Sequence, residues 1–300
     1  MRRALLALVL ATAACSVCSA CSSAVPGTAA AIPGAENLAV IDAPGTAAAL
    51  AAVKTAAEAV FTYDSADPAA FGKTADAHLT GAAKAQYATL FAQVKSSPQR
   101  VRLTTRVLVS AALELTGNRV RALTVLEQVN GTTKGLATVA FTALKANGAW
   151  RLSDIAVSPA QAPPAPHPAD GSPAGLRDSA LTGARTAVNA LASADSADPE
   201  GTYARAEAVA AEPLLSEYRR SKAAYVDGIR KGGVRAVVPP DLMTGVTSVT
   251  GDKATVLLYA NLQVTDAAGQ VTTKPVTATL DIVRASGFWK ATAIQAVTGS

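Results

Sequence analysis

Apolar residues at helical spacing open each half of the chain that we expect to fold. Leu50, Val53, Ala57 and Val60 lie three or four positions apart, which predicts a helix over residues 46–63 with one apolar stripe. The same stripe returns at an offset of 131 residues (50 to 181), as Leu181, Ala184, Val188 and Leu191. The pattern therefore indicates an internal repeat.

An identical pentapeptide follows the stripe in both copies. Asp64-Ser65-Ala66-Asp67-Pro68 recurs at residues 195–199, again at an offset of 131 (64 to 195). Proline after aspartate is typical of a helix start, with the aspartate as N-cap. Further matched positions are Tyr87 with Tyr218 and Trp150 with Trp289. We predict a duplicated domain, with each pentapeptide joining the first helix to the second.

Beyond the helices, the pattern changes to β-branched and alternating residues. The first copy predicts helices at 69–78 and after Gly81, then strands at 101–115, 119–130, 136–145 and 150–157. The second copy predicts a helix opened by Pro213 and strands that include 234–238, 253–264 and 276–282. The expected fold class is α+β, with three helices packed on about four antiparallel strands in each copy.

Shifts in composition mark the expected boundaries. Residues 21–45 are rich in Ala, Gly, Pro and Ser, which predicts a flexible tether. Residues 158–177 carry a dense run of prolines, which is typical of an extended linker. We therefore expect one domain at 46–157 and a second at 178–298.

The amino terminus has the pattern of an export signal over residues 1–20. Arg2 and Arg3 precede an apolar run at 4–14, broken only by Thr12. A helix of that run covers about 16 Å, short of the roughly 30 Å hydrocarbon core of a bilayer. The alternative is a marginal membrane span, if the run is extended to Ala20.

All three cysteines of the chain lie within its first 21 residues. Ser19-Ala20-Cys21 resembles a bacterial lipoprotein signal, which implies acylation of Cys21 and attachment to the outer face of the cytoplasmic membrane. Cys15 is the alternative site of acylation. Ordinary cleavage after Ala20 is a third interpretation.

Composition argues against several kinds of chemistry. The net charge of +5 is too diffuse over 300 residues to indicate nucleic-acid binding. No cysteine follows residue 21 and the chain has only two histidines, so we expect neither a metal site nor a cofactor. The sequence also lacks a nucleophile elbow and a phosphate-binding glycine loop. We expect that the protein is not an enzyme.

A few aromatic and charged residues remain as candidates for a site. Tyr63, Asp64, His78 and Tyr87 are candidates for acid–base chemistry, although Asp64 sits where capping is the common role. The aromatic residues predicted to line a pocket or pack in the core are Tyr63, Tyr87, Trp150, Tyr218 and Trp289. A basic stretch predicts a solvated face or a surface contact through Arg219, Arg220, Lys222, Arg230 and Lys231.

Several short motifs resemble those of the actinobacterial Mce-associated proteins, which share the nuclear transport factor 2-like cone fold. A helix ends in Tyr63-Asp64, and the other motifs of the first copy are Leu79-Thr80-Gly81, Tyr87, Val129-Asn130 before Thr132-Thr133, and Gly148-Ala149-Trp150 running to Ser153-Asp154. The second copy keeps Gly287-Phe288-Trp289, has Ala194-Asp195 in place of Tyr-Asp, and lacks Leu-Thr-Gly.

This resemblance implies two tandem cone domains in an accessory protein of a cell-envelope lipid importer. Its expected role is that of a non-catalytic scaffold with protein partners in a transport complex. One alternative is a carrier or sensor of a small apolar ligand in the cone pocket. Another is an enzyme similar to ketosteroid isomerase. The resemblance departs from the family in having two domains and a lipid anchor, where members usually have one domain and a membrane helix.

Overall fold

The computed structural model describes residues 37–92, 101–157 and 172–299, which form an α+β structure with one large antiparallel sheet. The first half contains α1 (Ala43–Phe61), β1 (Tyr63–Asp64), α2 (Pro68–His78), α3 (Ala82–Leu90), β2 (Arg102–Leu115), β3 (Arg119–Asn130), β4 (Thr133–Ala146) and β5 (Ala149–Val157). The second half contains α4 (Pro173–Ala192), β6 (Ala194–Asp195), α5 (Pro199–Ala208), α6 (Leu214–Gly232), β7 (Arg235–Val237), β8 (Met243–Thr250), β9 (Lys253–Thr265), β10 (Val271–Ala285) and β11 (Phe288–Ala296).

The two halves repeat one order of elements. In each, three helices pack their apolar residues against four long strands, so that each half has its own hydrophobic core. The long strands run in the order β11-β10-β9-β8-β2-β3-β4-β5, and the short strands β1, β6 and β7 branch from β2 and β9. This arrangement is compatible with a cone fold.

The folded part begins earlier than the predicted tether boundary at residue 45. The Asp42 side chain accepts a hydrogen bond from the Gly45 N–H at 3.0 Å, and Pro44 stands in the first turn, so α1 starts at Ala43. The predicted linker at 158–177 overlaps α4 for the same reason. There Ser172 accepts from the Gly175 N–H, and Pro173 opens the helix.

The first long strand is continuous, although its sequence also allowed two strands. The pairing of β2 with β3 shifts by one residue between Val107 and Val109, which leaves Leu108 as a bulge. A second irregularity lies between Ala112 and Glu114. The bulges let fourteen residues stay in one strand while the sheet bends.

The two halves contact each other at a surface that we call the junction. Residues at matched positions of the two halves meet there. Ala112 pairs with Val246 across β2 and β8, at an offset of 134 (112 to 246). The Thr138 and Thr277 hydroxyls lie 2.7 Å apart, at the offset of 139 that also relates Trp150 to Trp289. Contacts between equivalent positions are typical of a two-fold, isologous interface.

Apolar side chains cover this junction on the face of the sheet away from both helical cores. Leu123 and Leu257, also 134 positions apart, are both fully buried there. We call this group the junction cluster, and its buried members are Ala111, Leu113, Leu123, Val125, Ala140, Ala156, Met243, Leu257 and Tyr259.

The segment before α1 is tied to both halves. The Asn37 side-chain amide donates to the Leu113 carbonyl at 3.1 Å and accepts from the Leu115 N–H at 3.0 Å, both in β2. The Arg177 guanidinium of α4 donates to the main-chain carbonyl of Asn37. Ala39 is buried beside these bonds. The chain from the amino terminus thus enters the fold at the junction.

Candidate functional site

The repeated pentapeptide is a helix joint in both halves. Asp64 accepts from the Ala66 N–H at 2.8 Å, and Asp67 caps α2 by accepting from the Ala70 N–H at 3.0 Å. The second copy makes the same two bonds at 2.9 Å each, from Ala197 to Asp195 and from Gly201 to Asp198. These carboxylates hold backbone N–H groups, which is the capping role expected from the sequence.

The tyrosine and the aspartate of the Tyr-Asp motif face opposite sides. Successive strand residues alternate, so Tyr63 is buried while the Asp64 side chain is about one-third exposed, 3.8 Å from the Arg102 guanidinium. His78 is half-buried at the end of α2. The side chains of Tyr63 and Asp64 therefore do not line a common cavity.

Aromatic rings in mutual contact occupy the interior of the first half. Tyr87 stacks on Phe71 with ring centroids 4.6 Å apart, and its hydroxyl donates to the Val60 carbonyl at 2.6 Å. Phe141 from β4 is 1% exposed and packs edge-on against Phe61 at 5.9 Å. We call this group the aromatic cluster, and it comprises Phe61, Tyr63, Phe71, Tyr87, Phe91 and Phe141. Tyr63 and Tyr87 are packing residues within it.

The second half uses three tyrosines where the first uses mainly phenylalanines. Tyr218 is buried, and its ring lies 5.4 Å from Tyr225 and 6.4 Å from Tyr203. The Lys222 ammonium lies 4.9 Å from the centre of the Tyr203 ring, a cation–π contact at the edge of this group. Tyr218, which the sequence predicted as a pocket or packing residue, is thus part of the core.

Burial changes the acidity of two matched tyrosines. Desolvation raises the pKa of Tyr87 above its usual range, with a smaller contribution from Tyr63. Desolvation also raises the pKa of Tyr218, with smaller contributions from Tyr225 and Tyr203. Both hydroxyls therefore resist ionisation in the folded state.

We expect stability to fall at alkaline pH because of these two hydroxyls. Above about pH 10 the unfolded chain loses tyrosine protons that the folded chain retains, so the free energy of unfolding decreases as the pH rises. Urea denaturation at pH 8 and at about pH 11 measures this loss. The Tyr87→Phe and Tyr218→Phe variants should each lose about 1 kcal/mol at pH 8 but show a smaller loss on going to alkaline pH. An identical pH dependence in parent and variants contradicts the assignment.

The two tryptophans pack differently at their matched hairpins. Trp289 is 9% exposed, and its indole N–H donates to the Ser179 hydroxyl of α4 at 3.1 Å. A methyl group at Gly183 would overlap Trp289, so α4 approaches the sheet closely at this glycine. Trp150 is half-buried, with the Lys145 ammonium 5.9 Å from its ring centre. Both act as packing residues in this structure.

An open groove of about 200 Å³ lies outside the cores, between α1 and β2. Its lining is mostly apolar, with the Lys54 side chain at one side and the bulged Leu108 on the strand. The sequence did not predict this groove, because nothing in the alternation of β2 marks the bulge at Leu108 in its lining.

Three of the five cations on the predicted basic surface form ion pairs with acidic side chains. The Arg219 guanidinium lies 2.9 Å from Glu207, Lys222 lies 3.5 Å from Glu200, and Lys231 lies 2.7 Å from Asp227. The hydrogen bond from Arg219 to Glu207 raises the pKa of that guanidinium. Arg220 and Arg230 are exposed. The face is solvated and largely charge-balanced.

The predicted acylation sites lie outside the described residues, whereas a metal site and a membrane-spanning helix can be sought within them. Cys15, Cys18, Cys21 and His167 belong to the undescribed ranges. Within the described ranges, no group of three or more His, Cys, Asp or Glu side chains is placed to hold a metal ion. No helix in the same ranges has the length and hydropathy needed to cross a membrane.

Comparison with known proteins gives partial likenesses among solved structures. No family model and no curated protein matches the chain. It is similar to a TrwG component of a type IV secretion system from Bartonella birtlesii, with 13% identity over 39% of this chain and 88% of that chain, at a TM-score of 0.29. The intermembrane space region of the chloroplast protein ARC6 has 13% identity, coverage of 41% and 97%, and a TM-score of 0.27. An Ntf2-like protein involved in plasmid conjugation has 9% identity, coverage of 83% and 95%, and a TM-score of 0.24.

Proposed function

We propose that this chain is a non-catalytic lipoprotein of the bacterial cell envelope, acting as an accessory or scaffold component of an Mce-type lipid import system. It is exported, acylated at Cys21 and held at the outer face of the cytoplasmic membrane. Two tandem cone domains, produced by duplication, form its extracytoplasmic part. The short motifs that resemble Mce-associated proteins support this choice of system.

The filled interior of the first half is the observation that carries the non-catalytic role. A carrier or a cone-fold enzyme needs an interior cavity that admits its ligand and presents a polar group to it. Here the aromatic cluster occupies that interior, and the Asp64 carboxylate points to the outside. A scaffold needs only a stable fold and an outer surface, so the packing favours it over both rivals.

The contacts between matched positions support the duplication. The joint at Asp64 and its copy at Asp195 make the same hydrogen bonds, and the strands β1 and β6 after α1 and α4 are both two residues long. Ala112 pairs with its counterpart Val246. An ancestral homodimer whose subunits became fused would leave this pattern.

Replacing Cys21 with serine tests the anchor. We expect the Cys21→Ser protein to lose its acyl chains and to move from the membrane fraction to the soluble extracytoplasmic fraction. Cys15→Ser is the matched control, since it leaves the preferred acylation site intact and should remain in the membrane fraction. Continued membrane retention of Cys21→Ser, without a lipid at residue 21, rules this anchor out.

Affinity purification of the tagged, membrane-extracted protein tests the partner. We expect subunits of the lipid importer to copurify with the parent protein. A tagged Cys21→Ser protein from the same cells shows whether anchoring is needed for that association. Recovery of the parent protein without any transport subunit argues against the proposed role.

A further inference from the structure

Phe288 is the most exposed large apolar side chain in the part of the chain that the structure describes, at 72%. It begins β11, directly after the tight turn at Ser286 and Gly287, so it stands at a tip of the second half. The matched position in the first half is Ala149, which is also exposed. The apolar surface of Phe288 is therefore available for burial in another apolar phase.

Two lysines lie on the same face of the sheet as this ring. Lys290 and Lys253 are both cross-strand neighbours of Val283, so strand alternation places them with Phe288 on one face of the sheet. Arg284 is exposed on the opposite face of the same turn. Asp252 is the single acidic residue in the two adjacent turns, residues 250–254 and 283–290. Asp281, two residues before Val283, lies on that same face and accepts a hydrogen bond from the Thr255 hydroxyl. The tip therefore combines an apolar ring with three cations, Lys253, Arg284 and Lys290, against the two carboxylates of Asp252 and Asp281.

The tip lies at the same end of α4 as the entry of the chain into the fold. Trp289, next to Phe288, is bonded to Ser179 of α4, and Arg177 two residues earlier is bonded to the Asn37 carbonyl. The chain from Cys21 to Asn37 spans at most about 55 Å even when fully extended. An anchor at Cys21 therefore keeps this end of α4 within that distance of the bilayer.

We propose that the Phe288 tip is a second membrane contact, in which the ring enters the interfacial region of an anionic bilayer while Lys253 and Lys290 meet headgroup phosphates. An aromatic residue flanked by lysines suits that interface, where apolar and charged groups are accommodated together. This inference deepens the proposed function by orienting the anchored protein, and it rests on that function only for the position of the anchor.

The Phe288→Trp variant of the full chain places a fluorescent reporter at the tip. The probes are vesicles of phosphatidylcholine alone and vesicles with about one part phosphatidylglycerol in four. On the anionic vesicles we expect the emission to move to shorter wavelength and to be quenched by lipids with brominated acyl chains. Ala149→Trp is the matched control, with the same number of tryptophans at the equivalent exposed position, and it should show neither change.

A second set of variants measures binding rather than insertion. Measured in the Cys21→Ser background, where no acyl chain contributes to binding, Phe288→Ser should lower partitioning to the anionic vesicles by about tenfold, and Lys253→Ala with Lys290→Ala should lower it to a similar extent. Emission from Phe288→Trp that matches Ala149→Trp overturns the proposal, as does an equal response on vesicles without phosphatidylglycerol. Neither readout depends on the fractionation of Cys21→Ser, so loss of the anchor and loss of this contact are distinguishable.

Discussion

Replacing Leu257 with aspartate is expected to lower the free energy of unfolding by more than about 4 kcal/mol, the range reached by burial of an unpaired charge. Leu257 is fully buried in the junction cluster, which contains side chains from the strands of both halves. Its side chain lies on the opposite face of β9 from the helices of the second half. The substitution therefore disrupts the packing between the halves and leaves the contacts of both helical cores in place.

Calorimetry of the Leu257→Asp protein shows whether the junction couples the two halves. We expect the parent protein to unfold in a single transition and the variant to unfold in two, because each half keeps its own core when the junction is lost. Leu144→Asp is the control, as Leu144 is 39% exposed on β4 and should change stability by about 1 kcal/mol at most. A single transition at an unchanged midpoint in Leu257→Asp shows that the halves do not depend on this contact.

The junction illustrates what the sequence could and could not predict. In the first half the order of helices and strands followed from hydrophobic periodicity, and the pentapeptides gave the register between the helices of the two copies. In the second half the long strand β8 was not predicted, because the residues at 234–238, which form only the short β7, were taken as the strand at that place. From Ala122 to Leu126 the strand β3 is buried on both faces, and a near-continuous apolar run is the usual sign of such burial. The run shows that something covers the outer face. It does not show that the other half covers it.

The ends of the helices were the least accurately predicted part of the fold. Asp42 before Pro44, and Ser172 before Pro173, are cap signals of the same kind as the one recognised at Asp67 and Pro68. At 21–45 and 158–177 the abundance of proline and glycine predicted a tether and a linker instead. The average composition of about 20 residues does not reveal a single capping residue. The burial of Ala39 depends on partners that are distant in sequence, so composition does not predict it either.

The interior of the first half was only partly predicted. Tyr63 and Tyr87 were identified as packing candidates because motifs surround them, whereas Phe71, Phe91 and Phe141 stood in no motif. These three rings come from α2, the end of α3 and β4, so their contact depends on the tertiary fold. Sequence spacing carries no signal for contacts among separate elements of this kind.

Replacing Phe141 with alanine is expected to cost about 3–5 kcal/mol, the usual range for loss of a buried phenylalanine ring. Phe141 is 1% exposed, and its ring packs against Phe61 inside the aromatic cluster. If the interior were an open pocket, the surrounding rings would already lack partners on that side, and the loss would be smaller. The size of the effect therefore measures how completely the cone is filled.

Urea denaturation of Phe141→Ala gives this free energy, with Leu144→Ala on the same strand as the exposed control at less than about 1 kcal/mol. The new cavity should also accept benzene, which would raise the midpoint of the variant and leave the parent unchanged. A parent protein that benzene stabilises equally would have room in its interior, and a carrier role would then replace the scaffold. Stabilisation of the variant alone means that the ring of Phe141 closes the cone, which leaves the outer surface as the part that binds partners.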